Sequence, residues 1–100
     1  MKRIKEYENY GITSCGKVYN FDTGKFLSIY KNYKGYYNVK LSKDGIAKEF
    51  KLHRLVAEAY IPNPNGYETV DHIDNCKTHN WANNLQWMSR EDNTKKARNK

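Results

Sequence analysis

The hydrophobic period of the chain changes at Leu52, and this change constrains the fold more than any other feature of the sequence. Before it, apolar residues alternate with polar ones, as at Tyr37, Val39 and Leu41, which is the period of a strand with one buried face. From Leu52 to Tyr60, apolar residues recur at i, i+3, i+4, i+7 and i+8, which is one face of a helix. Two prolines follow and end it, because proline cannot donate the next helical hydrogen bond. We therefore expect an α+β fold.

Turn-forming residues divide the first half of the chain into short strands. Strands are predicted at residues 17–21 and 26–30, on either side of a tight turn that contains Gly24. Two more are predicted at residues 36–42 and 47–52, where the intervening Asp-Gly pair is a strong hairpin signal. These strands predict a small antiparallel β-sheet ahead of the helix.

Composition indicates one small domain with a polyanionic partner. The 100 residues are too few for a second independent core, and 38% of them are hydrophobic. The net charge of +7 favours nucleic acid, because each phosphate contact releases counterions. No apolar run approaches the roughly 18 residues that a membrane span requires, and the N-terminus lacks the pattern of a secretory signal. Cys15 and Cys76 form no paired motif, so we expect reduced thiols, no disulfide-linked partner and a cytoplasmic location.

The second half of the chain carries polar residues at informative positions. Strands are predicted at residues 69–73 and 85–88, and Ser89 is predicted to cap a final helix. If the strands pair as a hairpin and the helix lies across them, four polar side chains converge, namely Asp71, His72, Asn84 and Asn93.

These four side chains suit metal-assisted hydrolysis. The Asp71 carboxylate and the Asn93 amide oxygen are hard donors, which Mg²⁺ and Mn²⁺ prefer. A histidine can accept a proton at physiological pH, so His72 is a candidate general base. Because adjacent strand residues face opposite sides, Asp71 and His72 reach one site only at a bend or strand end. Asn84 is expected to hydrogen-bond the imidazole and to set its tautomer.

A longer motif surrounds these positions. It consists of Val70-Asp71-His72-Ile73-Asp74, then Lys77, Asn80, Asn84-Leu85-Gln86-Trp87 and Asn93. This pattern closely resembles the ββα-metal (HNH) nucleases of the phage homing-endonuclease type. Residues 52–63 are similar to the helix that leads into the motif in that family, and parts of residues 9–27 resemble its β-rich DNA-binding module.

The resemblance implies a fold and an activity. Residues 1–52 would form the β-rich DNA-binding module and residues 53–100 the ββα-metal motif, packed as one compact unit. The activity would be hydrolysis of phosphodiester bonds in double-stranded DNA, inside a bacterial host cell or encoded by a phage. Asp71 and Asn93 would ligate one ion, Mg²⁺ or Mn²⁺, while His72 acts as general base and Asn84 positions it. One such site cuts one strand, so nicking is expected.

Two groups of basic and aromatic residues are candidate DNA contacts. In the first group, lysines alternate with tyrosines, and its members are Lys31, Tyr33, Lys34 and Tyr36. The second group lies in the basic C-terminal tail and consists of Lys95, Lys96 and Arg98. Each group has a plainer interpretation. The first would be a solvated sheet edge that lysines protect from pairing, and the second would neutralise a helix C-terminus.

Two other functions stay open on the sequence alone. One is a catalytically inactive DNA-binding module on the same scaffold, and the other is an RNA-binding β protein. The sequence has no coiled-coil seam and leaves the oligomeric state open, a monomer included.

Overall fold

The computed structural model describes the backbone of residues 1–98 and the side chains of residues 1–96. Strands come first, then a helix, and then a strand pair with a second helix. In chain order the elements are β1 (Lys2–Ile4), β2 (Tyr7–Ile12), β3 (Val18–Asn20), β4 (Lys25–Phe26), β5 (Tyr30–Lys31), β6 (Tyr37–Lys43), β7 (Ile46–Lys51), α1 (Leu52–Tyr60), β8 (Thr69–His72), a 3-10 turn (Ala82–Asn84), β9 (Leu85–Met88) and α2 (Arg90–Arg98).

The strands of the first half form two antiparallel sheets rather than one. The first has the order β1-β2-β3-β4 and the second the order β5-β6-β7. The strand predicted at residues 26–30 is therefore wrong, because its two ends belong to different sheets. The physical reason is that Leu27 and Ile29 pack against the core where the chain crosses between the sheets. The turn at Gly24 is confirmed by its φ of 70°.

The hairpin of β6 and β7 forms as its Asp-Gly turn predicts. Asp44 and Gly45 have φ values of 53° and 78°, the left-handed conformation that a tight hairpin turn requires. The helix predicted from Leu52 is confirmed as α1, which ends at Tyr60. The α+β fold class is confirmed.

Helix α1 lies at the centre of the molecule. It packs against both sheets of the first half and against the antiparallel pair of β8 and β9. The fully buried core side chains are Ile12, Val18, Val39, Leu41, Leu52 and Val56. Helix α2 packs against β8, and Ser89 caps it by accepting a hydrogen bond from the Asp92 amide at 3.1 Å. Within residues 1–98, no helix is long and apolar enough to span a membrane.

Candidate active site

A cavity of about 290 Å³ opens where β8, the loop after it and α2 meet. Three of the four predicted site residues line it, namely Asp71, His72 and Asn93. Asp71 and His72 reach the same cavity because they are the last two residues of β8, at the strand end that this prediction required. The remaining lining residues are Tyr36, Val70, Asn75, Lys77 and Lys96.

The Asp71 carboxylate is buried, and one of its two oxygens contacts two side chains. Its side chain is 8% exposed, and its Oδ2 accepts a hydrogen bond from Gln86 Nε2 at 3.1 Å. The same Oδ2 forms an ion pair with Lys96 Nζ, which also donates to the backbone oxygen of His72 at 3.3 Å. A buried carboxylate is costly without a cation or donors. Lys96 and Gln86 supply both.

The His72 imidazole is held by Asn80, whose Oδ1 lies 2.7 Å from Nε2 in the buried interior. With the amide in this orientation, Nε2 carries the proton and donates it, so Nδ1 keeps a free lone pair. Among the described residues, Nδ1 of His72 has no hydrogen-bond partner and is not among the polar atoms sealed from solvent. This nitrogen is therefore accessible to solvent, and His72 lines the cavity.

Gly16 allows Asn80 to take this position. A Cβ at residue 16 would lie 2.7 Å from the backbone oxygen of Asn80, and the residue has a φ of 84°, which side chains rarely adopt. The backbone of Ala82 also donates to the oxygen of Ser14 at 2.7 Å. The turn between β2 and β3 thus supports the loop that carries Asn80.

The rings of His53 and Tyr36 pack against His72. The ring of His53, on α1, has its centroid 5.1 Å from that of His72, and the ring of Tyr36 lies 6.1 Å away. Burial is the main cause that lowers the pKa of His53 from 6.5 to about 3, and the nearby basic side chains of His72, Lys51 and Arg54 add to the effect. A neutral ring therefore packs against His72 at physiological pH.

Asn84 makes no hydrogen bond to the imidazole, so the predicted hydrogen bond was wrong. Its Nδ2 donates to Asp74 Oδ1 at 3.0 Å and to the backbone oxygen of His79 at 2.9 Å, while its Oδ1 accepts from the Asp74 amide at 3.2 Å. The physical reason is its place in the 3-10 turn, which directs its side chain into the loop of residues 73–81. Asn84 braces that loop, and Asn80 within it positions His72.

The same loop is further tied by Asp74. Hydrogen bonds from His79, first of all, and from Asn84 and the Cys76 amide hold the pKa of the Asp74 carboxyl well below its usual range. His79 Nδ1 lies 2.6 Å from Asp74 Oδ2, and its ring stacks on Trp81 with centroids 4.5 Å apart. Asp74 is thus a turn-forming residue that ties the loop together.

The donors around the cavity fit a hard divalent cation. No cluster of three or more His, Cys, Asp and Glu side chains occurs among the described residues. The donor set is instead one carboxylate and one amide, from Asp71 and Asn93, which suits an ion that keeps water and phosphate ligands. The ammonium of Lys96 already lies in this cavity against Asp71, which shows that the position favours a positive charge.

The first predicted DNA-contact group lies at the end of β5 and in the loop between β5 and β6. Tyr33 is 93% exposed, and Lys34 Nζ lies 5.6 Å from its ring centroid. Lys31 Nζ lies 5.8 Å from the Tyr37 ring on the adjoining strand. Tyr36 turns inward and lines the cavity under Lys77, whose Nζ is 4.9 Å from the Tyr36 ring. The loop thus adjoins the site.

The second predicted group divides. Lys95 is exposed and lies 3.6 Å from Glu91, one turn earlier on α2. Lys96 points into the cavity rather than outward. The side chain of Arg98 lies outside the described residues.

Sequence reasoning assigned no role to Asn80, Lys77 or Gln86. All three were visible as motif positions, but no spacing rule links a loop amide such as Asn80 to an imidazole eight residues earlier. Gln86 carried a detectable signal, because it pairs directly across from Asp71 in the β8–β9 register.

Known proteins resemble this chain over nearly all of its length, although no protein-family model matches it. An uncharacterised HNH endonuclease of Acanthamoeba polyphaga mimivirus is 40% identical over 96% of this chain and 29% of its own length. The DNA endonuclease I-HmuI of Bacillus phage SP01 is 38% identical over 92% of this chain and 53% of its own. A solved structure of DNA binding and cleavage by the HNH homing endonuclease I-HmuI superposes with a TM-score of 0.89 at 35% identity, over 98% of this chain and 57% of that one. The chain spans about half or less of the length of these relatives.

Proposed function

This chain is a homologue of the HNH endonucleases over more than nine-tenths of its length, and from that premise we propose that it is a divalent-metal-dependent DNA endonuclease that nicks double-stranded DNA. The observation that carries the proposal is the convergence of Asp71, His72 and Asn93 on one cavity. Phage and viral relatives support a setting inside an infected host cell.

Asp71 and Asn93 would hold one ion, Mg²⁺ or Mn²⁺. When bound, the ion supplies positive charge that stabilises the scissile phosphate and the leaving oxygen in the transition state. Gln86 would orient the Asp71 carboxylate through its hydrogen bond to Oδ2.

His72 would remove a proton from the attacking water through Nδ1. Asn80 supports this role because its Oδ1 accepts from Nε2 and leaves Nδ1 free. The loop braced by Asn84 and Asp74 would keep Asn80 in place. Asn84 is thus proposed to affect catalysis indirectly, by holding the loop that carries Asn80.

DNA would lie across the cavity and the adjoining β5–β6 loop. Lys31, Tyr33 and Lys34 would contact phosphates and sugars beside the cavity, with Tyr36 at its rim. Lys95 would extend the basic surface along α2. The net charge of +7 supports a polyanionic partner.

Plasmid nicking tests the proposal. Supercoiled plasmid is incubated with Mg²⁺ or Mn²⁺, with and without EDTA, and nicked circles should appear before linear DNA. Replacing the general base should cost at least about a hundredfold in rate, so His72→Ala and Asp71→Asn should both nick far more slowly while still binding DNA. Asp22→Asn is the matched control, because Asp22 is an exposed carboxylate in the β3–β4 turn.

Other outcomes identify the alternatives. Intact plasmid with every metal, with DNA binding retained, would instead indicate an inactive DNA-binding module. Preferential retention of RNA over duplex DNA in competition would indicate an RNA-binding protein.

A further inference from the structure

Among the described charged side chains of α2, only that of Lys96 reaches into the cavity. Its side chain is 28% exposed, and Nζ contacts Asp71 Oδ2 and the backbone oxygen of His72 inside the cavity. Lys95, one residue earlier, is 65% exposed and faces Glu91 at the surface. One lysine of this pair is therefore part of the site and the other is part of the solvated helix face.

The Asp71 carboxylate requires this partner when no other cation is present. With only 8% of the side chain exposed, its charge is largely removed from water. The amide of Gln86 gives Oδ2 one hydrogen bond but no positive charge. Lys96 supplies that charge, and its contact with Oδ2 holds the carboxylate in place towards the cavity.

A divalent ion bound to Asp71 cannot share this arrangement. Two cations held a few ångströms apart in a half-enclosed cavity repel each other strongly, because water screens them less there than in bulk solvent. The lysine side chain, with four rotatable bonds, can leave the cavity at small cost.

We propose that Lys96 is a positioning residue of the metal site, which holds Asp71 in the metal-free protein and is exchanged for the divalent ion on binding. The inference rests on the proposed function, because it requires Asp71 to ligate the ion. When the ion displaces it, the Lys96 ammonium leaves the cavity and points towards the side where DNA phosphates would lie. Metal binding thus frees one additional phosphate contact.

Calorimetric titration with Mn²⁺ tests the exchange without DNA. Lys96→Met removes the competing ammonium but keeps the length of the side chain, and Lys95→Met removes the same charge from the same turn of helix. We expect Lys96→Met to bind Mn²⁺ about tenfold more tightly than wild type, since a charged hydrogen bond need no longer be broken. Lys95→Met should stay within about twofold, because its charge is exposed and screened.

Thermal unfolding gives a second readout. Metal-free Lys96→Met should melt below wild type, because Asp71 has lost its cation, and saturating Mn²⁺ should remove that difference. A purely structural role for Lys96 would lower both melting temperatures equally. Equal or weaker Mn²⁺ binding by Lys96→Met, compared with Lys95→Met, would overturn the exchange and leave the metal site standing. Mn²⁺ binding that is absent, or unchanged by Asp71→Asn, would overturn the metal site and with it the proposed function.

Discussion

Mild acid should destabilise this protein through a single buried imidazole, that of His53. The ring lies on α1 behind His72, is 8% exposed, and has no hydrogen-bond partner for its Nδ1 within the described residues. Burial is the main reason that the pKa of His53 falls from 6.5 to about 3 in the folded chain. The perturbation is His53→Phe, which keeps an aromatic ring against Tyr36 and His72 and cannot titrate.

The sign and size follow from proton linkage. Between pH 6.5 and pH 3 the unfolded chain binds a proton at His53 and the folded chain does not, so the free energy of unfolding falls as the pH falls. At pH 5, which lies 1.5 units below the unfolded-state pKa of 6.5, His53 is protonated in the unfolded chain and still neutral in the folded one. At about 1.4 kcal/mol per pH unit, lowering the pH from 7 to 5 should cost about 2 kcal/mol.

Urea unfolding followed by tryptophan fluorescence measures this cost. The wild type should lose about 2 kcal/mol more than His53→Phe does between pH 7 and pH 5. Tyr60→Phe is the control, because it removes a hydrogen bond from the same helix to the Ile12 oxygen without adding or removing a group that titrates in this range. It should lower stability equally at both pH values. Identical pH slopes for wild type and His53→Phe would refute the reasoning.

Three further predictions concern the loop and the DNA surface. Gly16→Ala should slow plasmid nicking at least about tenfold with an unchanged circular dichroism spectrum, because its Cβ would displace the backbone of Asn80. Carbon-13 NMR titration of the Asp74 carboxyl should give a pKa below 3.8. The stability that its loop contacts add should therefore persist in acid until the pH falls through that lower folded-state pKa. A pKa at or above 3.8 would contradict the His79 and Asn84 contacts. Lys31→Ala should reduce the slope of log binding constant against log salt concentration by about 1, which corresponds to one lost phosphate contact. An unchanged slope would show that Lys31 does not contact the DNA.

Local patterns predicted much of the fold because they act over short distances. The period of α1 and the Asp-Gly turn between β6 and β7 need no tertiary information. The strands β1 and β2 escaped detection because their pattern is irregular. Tyr10, Gly11 and Ile12 are buried in succession, and the pairing of β1 with β2 is irregular between Arg3 and Ile4.

The site was predictable where strand and helix ends fix a residue. Asp71 and His72 end β8 and Asn93 lies in the first turns of α2, so the hairpin-and-helix arrangement alone brings them to one cavity. Asn80 and Asn84 belong to a loop without periodicity, and only tertiary packing decides which amide meets the imidazole. The inward turn of Lys96 was likewise hidden, because a lysine near the end of a helix usually faces solvent.

The most direct measurement is a crystal structure of the chain grown with Mn²⁺, in which anomalous scattering locates the ion. We expect one ion within about 2.0–2.6 Å of oxygens from both Asp71 and Asn93, with the ammonium of Lys96 withdrawn from the cavity. An ion bound elsewhere, or a cavity in which Lys96 still pairs with Asp71 at saturating Mn²⁺, would contradict it.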